Sequence, residues 1–254
     1  MFNRKNLPCF GYLHNRDVNV KSILKLCEKL DLLDFDKYRD IQYSSASKMS
    51  HFVLANSFNK KNFFTEDHQV DLEGECYKQK YLTEIDPEIL SSGQQQKQLP
   101  ETLRNSIFFR KRRLLKSDIN YDPISDELSY GHRNDLVQGI FSEILDAFQS
   151  KVTRVRLAYL APNFSIKPHV DYDPSYITRY HIPILTNKDC RMHVIRNNLE
   201  SSCHFPADGR IYFFNSGLKH WASNNSKFPR LHLIIDTHGQ ADLQNCLLDF
   251  HAAV

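Results

Sequence analysis

No run of about 18 apolar residues occurs in the 254-residue chain, so no segment is expected to cross a membrane as a helix. The opening stretch MFNRKNLPCFGYLHNRDVNV has no apolar core and no small-residue cleavage site, so no secretory signal is expected. Cysteine pairs at metal-binding spacing are missing too. Cys9, Cys27, Cys76, Cys190, Cys203 and Cys246 are scattered with no C-x-x-C among them. That spacing argues against a structural zinc site, and without a secretory signal the thiols are expected to be reduced in a cytoplasmic protein. There is no strong excess of one charge: 33 basic against 30 acidic residues give +3, too mild to imply nucleic acid or an anionic membrane as a partner. Internal repeats and long low-complexity tracts are lacking. The nearest is SSGQQQKQLPE at 91–101, which has the composition of a surface loop.

Apolar residues make up 41% of the chain and aromatics 12%, enough for a sizeable core in one large domain, or one domain with an extension. Residues 18–38 place Leu, Lys and Asp at near-helical spacing and predict a surface helix. In NDLVQGIFSEILDAF (134–148), Leu136, Ile140, Phe141, Ile144, Leu145 and Phe148 fall on one stripe, with Asn134 or Asp135 available as a cap. After residue 150 the character changes. VTRVRLAYL alternates, with Val155, Leu157 and Tyr159 opposite Arg154, Arg156 and Ala158. RYHIPILT, CRMHVIR, GRIYFFN and RLHLIIDTH follow, each short, β-branched or aromatic, and bounded by turn residues. The pattern predicts a sandwich or barrel. The expected class is α+β: a mainly helical region over 1–150, packed around a β-rich core at 151–240 as part of the same unit, with a tail at 241–254.

The chemistry-bearing residues cluster in that second half. In a strand, His169 and Asp171 of PHVD would share a face and offer a ring nitrogen and a carboxylate oxygen to one point. His220, in NSGLKHWASNN, supplies a third donor. Two histidines and one carboxylate on one face of an octahedral ion leave three positions open, a set that suits non-haem Fe(II). A 2-oxo acid can take two of those positions and dioxygen the third. Its distal carboxylate needs a fixed, charged, bidentate partner, and Arg230 at the start of RLHLIIDTH is placed for that role. Arg179 and His181 share a face by the same spacing, with Ile182 and Ile184 packing elsewhere; His232 has the parity of Arg230. Tyr172, Asp173, Tyr176 and Trp221 adjoin these residues and are candidates for the substrate pocket, with packing as the plainer explanation. The basic run FFRKRRLLK (108–116) is most simply a solvated face; a nucleic-acid contact is the alternative.

The pattern PHVD…RYHIPI…GRIYFFNSGLKHWASNN…PRLHLIID resembles the aspartyl/asparaginyl β-hydroxylase family of Fe(II)/2-oxoglutarate-dependent dioxygenases, which includes bacterial free amino-acid hydroxylases such as proline cis-hydroxylases. The resemblance covers about residues 152–238. It implies a double-stranded β-helix (jelly-roll) core, His169, Asp171 and His220 as iron ligands, and Arg230 on the distal carboxylate of 2-oxoglutarate. Arg179 and His181 would contact the cosubstrate, or the substrate near the metal. The implied reaction hydroxylates an unactivated C–H of an amino-acid side chain, free or peptidyl, using Fe(II), 2-oxoglutarate and O2 and releasing succinate. Ala158 stands where some members carry a cosubstrate-binding serine. Some members lack the acidic ligand; Asp171 is present here, which favours hydroxylation over halogenation. The competing expectations are an oxidative nucleic-acid demethylase with the same iron chemistry and a non-catalytic jelly-roll metal-binding module.

Overall fold

The computed structural model describes residues 2–14, 16–40, 76–85, 97–98, 120–121, 128 and 130–249. In chain order the strands are β1 (Phe10–Leu13), β2 (Arg39–Asp40), β3 (Tyr77–Tyr81), β4 (Thr83–Ile85), β5 (Lys97–Gln98), β6 (Asn120–Tyr121), β7 (Tyr130–Arg133) and β8 (Lys151–Leu160). They continue with β9 (Phe164–Ser165), β10 (Ile177–Leu185), β11 (Cys190–Arg196), β12 (Leu199–Cys203), β13 (Tyr212–Phe214), β14 (Lys219–Asn224), β15 (Arg230–His238) and β16 (Leu247–Asp249). The α-helices among the described residues are α1 (Val20–Lys29), α2 (Ile140–Asp146) and α3 (Ala241–Cys246). The loop stretch 91–101, apart from Lys97 and Gln98, and the basic run 108–116 lie outside the described residues, as does the side chain of Cys246.

An eight-stranded sheet runs β16-β1-β13-β10-β15-β8-β3-β2, and a four-stranded sheet runs β12-β11-β14-β9. The period-2 segments became strands because each buries at least one face, and β8 and β15 bury both. In β8 and β15 one face, with Val155, Leu157, Leu231, Leu233 and Ile235, joins Tyr180 and Ile182 of β10. That face is covered by Ile23 and Cys27 of α1 and by Phe141, Ile144 and Leu145 of α2. Burial of each such side chain contributes about 1.5–3 kcal/mol relative to exposure. The opposite face meets the small sheet through Phe10, Leu160, Met192, Val194, Tyr212, Phe214 and Ala222. Among the described residues the core is therefore two facing sheets with α1 and α2 on the outer face of the larger one, and β4 with β7 and β5 with β6 form separate two-stranded pairs.

Among the described residues the first half is not mainly helical. The helix expected over 18–38 stops at Lys29, followed only by a 3-10 turn at Phe35–Lys37. Asp31 takes φ 54, the left-handed region, and breaks the helical hydrogen-bond ladder. The stripe at 134–148 is helical only from Ile140, because Gly139 (φ 52) sits at its N-cap, while Asn134 Oδ1 accepts from the Leu136 amide in a turn upstream. Its apolar residues are nonetheless buried or half-buried against the sheet. Two strands of the first half, β1 and β3, enter the large sheet, pairing with β13 and β8. No helix among the described residues is long and apolar enough to cross a membrane, and none of the five described cysteines is in a disulfide.

Candidate metal centre

Residues 166–171 are not a regular strand. They run extended and antiparallel beside β14, tied to it at three levels. Ile166 N–H donates to Ala222 O (2.9 Å), His169 and His220 exchange both backbone bonds (2.9 and 2.8 Å), and Asp171 N–H donates to Ser216 O (3.0 Å). This pairing brings positions about fifty residues apart in the chain into one cluster. The ligand atoms of His169, Asp171 and His220 all lie within 4.8 Å of one another.

The hydrogen bonds on the far sides of the rings fix their chemistry. His169 Nδ1 faces Lys167 O at 2.8 Å and His220 Nδ1 faces Leu218 O at 2.9 Å. A carbonyl only accepts, so each Nδ1 carries a proton and each ring turns its Nε2 inward. Those Nε2 atoms lie 3.8 and 3.7 Å from the Asp171 carboxylate oxygens. Two lone pairs facing an acceptor repel unless a cation or a proton stands between them. Burial pushes the His220 pKa down to about 3, with His169 adding to the shift and Asp171 opposing it. A proton is thereby disfavoured on His220 near neutral pH. A divalent cation fits this donor set, and its second-layer carbonyls fix both ligand tautomers.

Deeper between the sheets lies a second polar group. Arg230 is 2% exposed. Its Nη1 reaches only the Met192 sulfur at 3.5 Å, and its Nε has no partner among the described residues. Burial lowers its pKa, Tyr77 and Cys190 opposing. His181 and His232 share a bond between their Nδ1 atoms (3.2 Å), and both Nε2 atoms are buried without partners among the described residues. Ala158, opposite His232 in the β8–β15 ladder, has no side-chain donor to offer them.

These buried histidines make the fold sensitive to acid. Burial pushes both well below the ordinary histidine value of 6.5, with Arg230 adding to the shift. A depressed folded pKa means that their contribution is complete above 6.5 and is lost as pH falls from there toward the folded values. Each then removes about 1.4 kcal/mol per pH unit. The melting temperature of metal-free protein should therefore drop steeply between about pH 7 and pH 5, and replacing His232 with glutamine should flatten that slope.

The structure also places the remaining candidates. Arg179 does not stand free toward the cavity. Its Nε and Nη2 donate to Asp236 Oδ1 and Oδ2 at 2.7 and 3.0 Å, and its Nη1 donates to Asp171 Oδ2. Asp236, fully buried, also accepts from Arg156 Nη1 at 2.8 Å. Burial alone would raise the Asp236 carboxyl, but Arg156 and Arg179 outweigh it and hold it down to about 2. Neither Asp236 nor Arg156 was singled out by motif; the inward parity Arg230, His232, Ile234, Asp236 in β15 was the available signal. Tyr176 is buried between Tyr172 and His238 rings at 5.3 and 5.6 Å. Asp173 is buried, with Oδ1 accepting from Ser175 N–H and Oδ2 without a partner among the described residues. Trp221 follows His220 in β14 and so points to the other face of the small sheet, stacked 4.7 Å from His193.

These contacts define a candidate two-histidine, one-carboxylate metal centre between two sheets. Residues 134–239 match the model of the aspartyl/asparaginyl β-hydroxylase family, and every site residue named above lies within that span. The resemblance noted from the sequence is thereby met. The L-proline cis-4-hydroxylase of Rhizobium meliloti (strain 1021) is 34% identical over 122 residues, 47% of this chain and 39% of that enzyme. The chain thus matches well under two thirds of its relative's length. Among solved structures, a 2OG-Fe(II) oxygenase family oxidoreductase from Burkholderia pseudomallei overlaps at TM-score 0.33 and 12% identity, covering 63% of this chain and 66% of that one. A cupin domain from Bordetella pertussis overlaps at TM-score 0.28 and 12% identity, covering 37% of this chain and 88% of that one. Overlaps of this size carry no argument about fold or function.

Proposed function

We propose that this protein is an Fe(II)/2-oxoglutarate-dependent dioxygenase that hydroxylates an unactivated C–H of an amino-acid side chain, free or within a peptide. The convergence of His169 Nε2, His220 Nε2 and the Asp171 carboxylate within 4.8 Å carries this reading. Bound iron and 2-oxoglutarate would supply the oxidising chemistry, consuming dioxygen and releasing succinate and carbon dioxide. The protein's part is to bind, orient and exclude water. His169 and His220 donate lone pairs with their tautomers already set, and Asp171 adds the negative charge. Arg230, a buried cation lacking an anion among the described residues, would pair with the distal carboxylate of 2-oxoglutarate; an isolated buried charge is costly until it is matched. His181 and His232 line the same interior and remain neutral, so they add hydrogen bonds without competing for that charge. Tyr172 and Asp173, beside the ligand Asp171, are the residues this reading assigns to the substrate.

In this proposal the two sheets form a double-stranded β-helix over residues 151–240, joined at its edge by strands from 1–150. The reading is supported by the family match and by the proline hydroxylase relative. It is tested by incubating the protein with Fe(II), 2-oxoglutarate and panels of free amino acids and peptides. The expected result is succinate release coupled to a gain of one oxygen by one class of substrate. Absence of 2-oxoglutarate binding and of succinate under all conditions would leave a non-catalytic metal-binding module, whereas oxygen gain on methylated nucleic acid would favour a demethylase.

A further inference from the structure

Arg179 stands between two carboxylates. β10 and β15 set it directly opposite Asp236, so the pair is a cross-strand contact built into the register. In its pairing with β8, β15 shifts register between Ile235 and Thr237, an irregularity that falls at Asp236. Arg156 holds the same carboxylate from β8. Asp236 therefore has both oxygens engaged by two arginines and is fully buried, which locks the plane of the Arg179 guanidinium. From that plane one N–H group, on Nη1, reaches Asp171 at Oδ2. The other oxygen, Oδ1, lies 3.8 Å from His169 Nε2, while Oδ2 also lies 3.7 Å from His220 Nε2.

We propose that Asp236, acting through Arg179, is a positioning residue that makes Asp171 a one-oxygen metal ligand. The proposal rests on the metal reading of the triad. A carboxylate free to swing can close onto a cation with both oxygens and fill a position that cosubstrate or dioxygen requires. An arginine N–H on Oδ2 opposes that closure, but only while the guanidinium is itself held in place. An ion pair serving stability alone would need Arg156, Asp236 and Arg179; the reach to Asp171 would be idle. The arrangement is thus a chain of outer contacts ending on a ligand, of the kind that tunes metal sites.

The test measures Mn(II) affinity by electron paramagnetic resonance, and the visible spectrum of the Co(II)-loaded protein, for wild type, Asp236→Asn and Arg179→Lys. Arg179→Lys keeps the charge and loses the planar fork, so it separates orientation from electrostatics and carries the test should Asp236→Asn fail to fold. Loss of about tenfold or more in Mn(II) affinity, with a Co(II) spectrum shifted in intensity by a changed coordination number, is the expected result. Variants that melt at a lower temperature yet bind Mn(II) within about twofold of wild type with the wild-type Co(II) spectrum would overturn the proposal and leave a purely structural network. Wild-type protein that binds no Mn(II) at all would instead remove the metal reading beneath it.

Discussion

His220→Ala should abolish both metal binding and turnover while leaving the fold in place. His220 is 2% exposed and supplies one of three converging ligand atoms. Its backbone, not its ring, makes the reciprocal bonds to His169 that tie the 166–171 segment to β14, so alanine retains that pairing. What disappears is one bare Nε2, and with it a third of the donor set. Weakening of at least about a hundredfold in Mn(II) affinity, near 3 kcal/mol, is the expected scale for losing a direct ligand. Two measurements check it: Mn(II) titration and succinate release, both referred to a circular dichroism melt. A folded His220→Ala protein that retained wild-type Mn(II) affinity would end the case for this cluster as a ligand set.

Legibility of the structure in the sequence followed the locality of the cause. CRMHVIR and RLHLIIDTH became β11 and β15 at those bounds because alternation and β-branching act within the segment. The predicted helices ran too long because single backbone positions, Asp31 and Gly139, ended or began them, and spacing of apolar residues does not register such positions. The strand roles of FGYL and YKQKY were hidden, since they depend on partners in β13 and β8 far along the chain. At the site, H-x-D spacing pointed to His169 and Asp171, although they lie on extended chain linked by one bridge rather than in a strand. The joining of Arg156 and Arg179 through Asp236 was not legible because alternation within a strand does not tell a covered charged face from a solvated one, and here both faces of β8 and β15 are covered.

That covering explains how so polar an interior is tolerated. Along the inner face of the large sheet, charges are neutralised in pairs near the triad: Arg156 and Arg179 against Asp236 and Asp171. Further in, His181 and His232 avoid charge altogether. Arg230 is a guanidinium with neither a carboxylate partner among the described residues nor appreciable exposure.

Arg230→Met should therefore separate stability from cosubstrate binding. The methionine approximates the aliphatic stem and removes a buried charge that the ligand-free protein leaves unmatched. Replacing buried charge by apolar volume is often neutral or stabilising by about 1–4 kcal/mol, so the ligand-free variant should melt at or above the wild-type temperature. Addition of 2-oxoglutarate with Mn(II) should raise the wild-type melting temperature by mass action and leave the variant nearly unmoved. The lost charge-assisted pair corresponds to about 1.5–3 kcal/mol, or roughly a ten- to hundredfold rise in the 2-oxoglutarate dissociation constant. Mn(II) affinity without 2-oxoglutarate should stay at the wild-type level, because Arg230 makes no contact with the triad. An Arg230→Met protein that is destabilised without ligand yet binds 2-oxoglutarate normally would show that the arginine is matched within the fold, and the carboxylate site would have to be sought elsewhere in the interior.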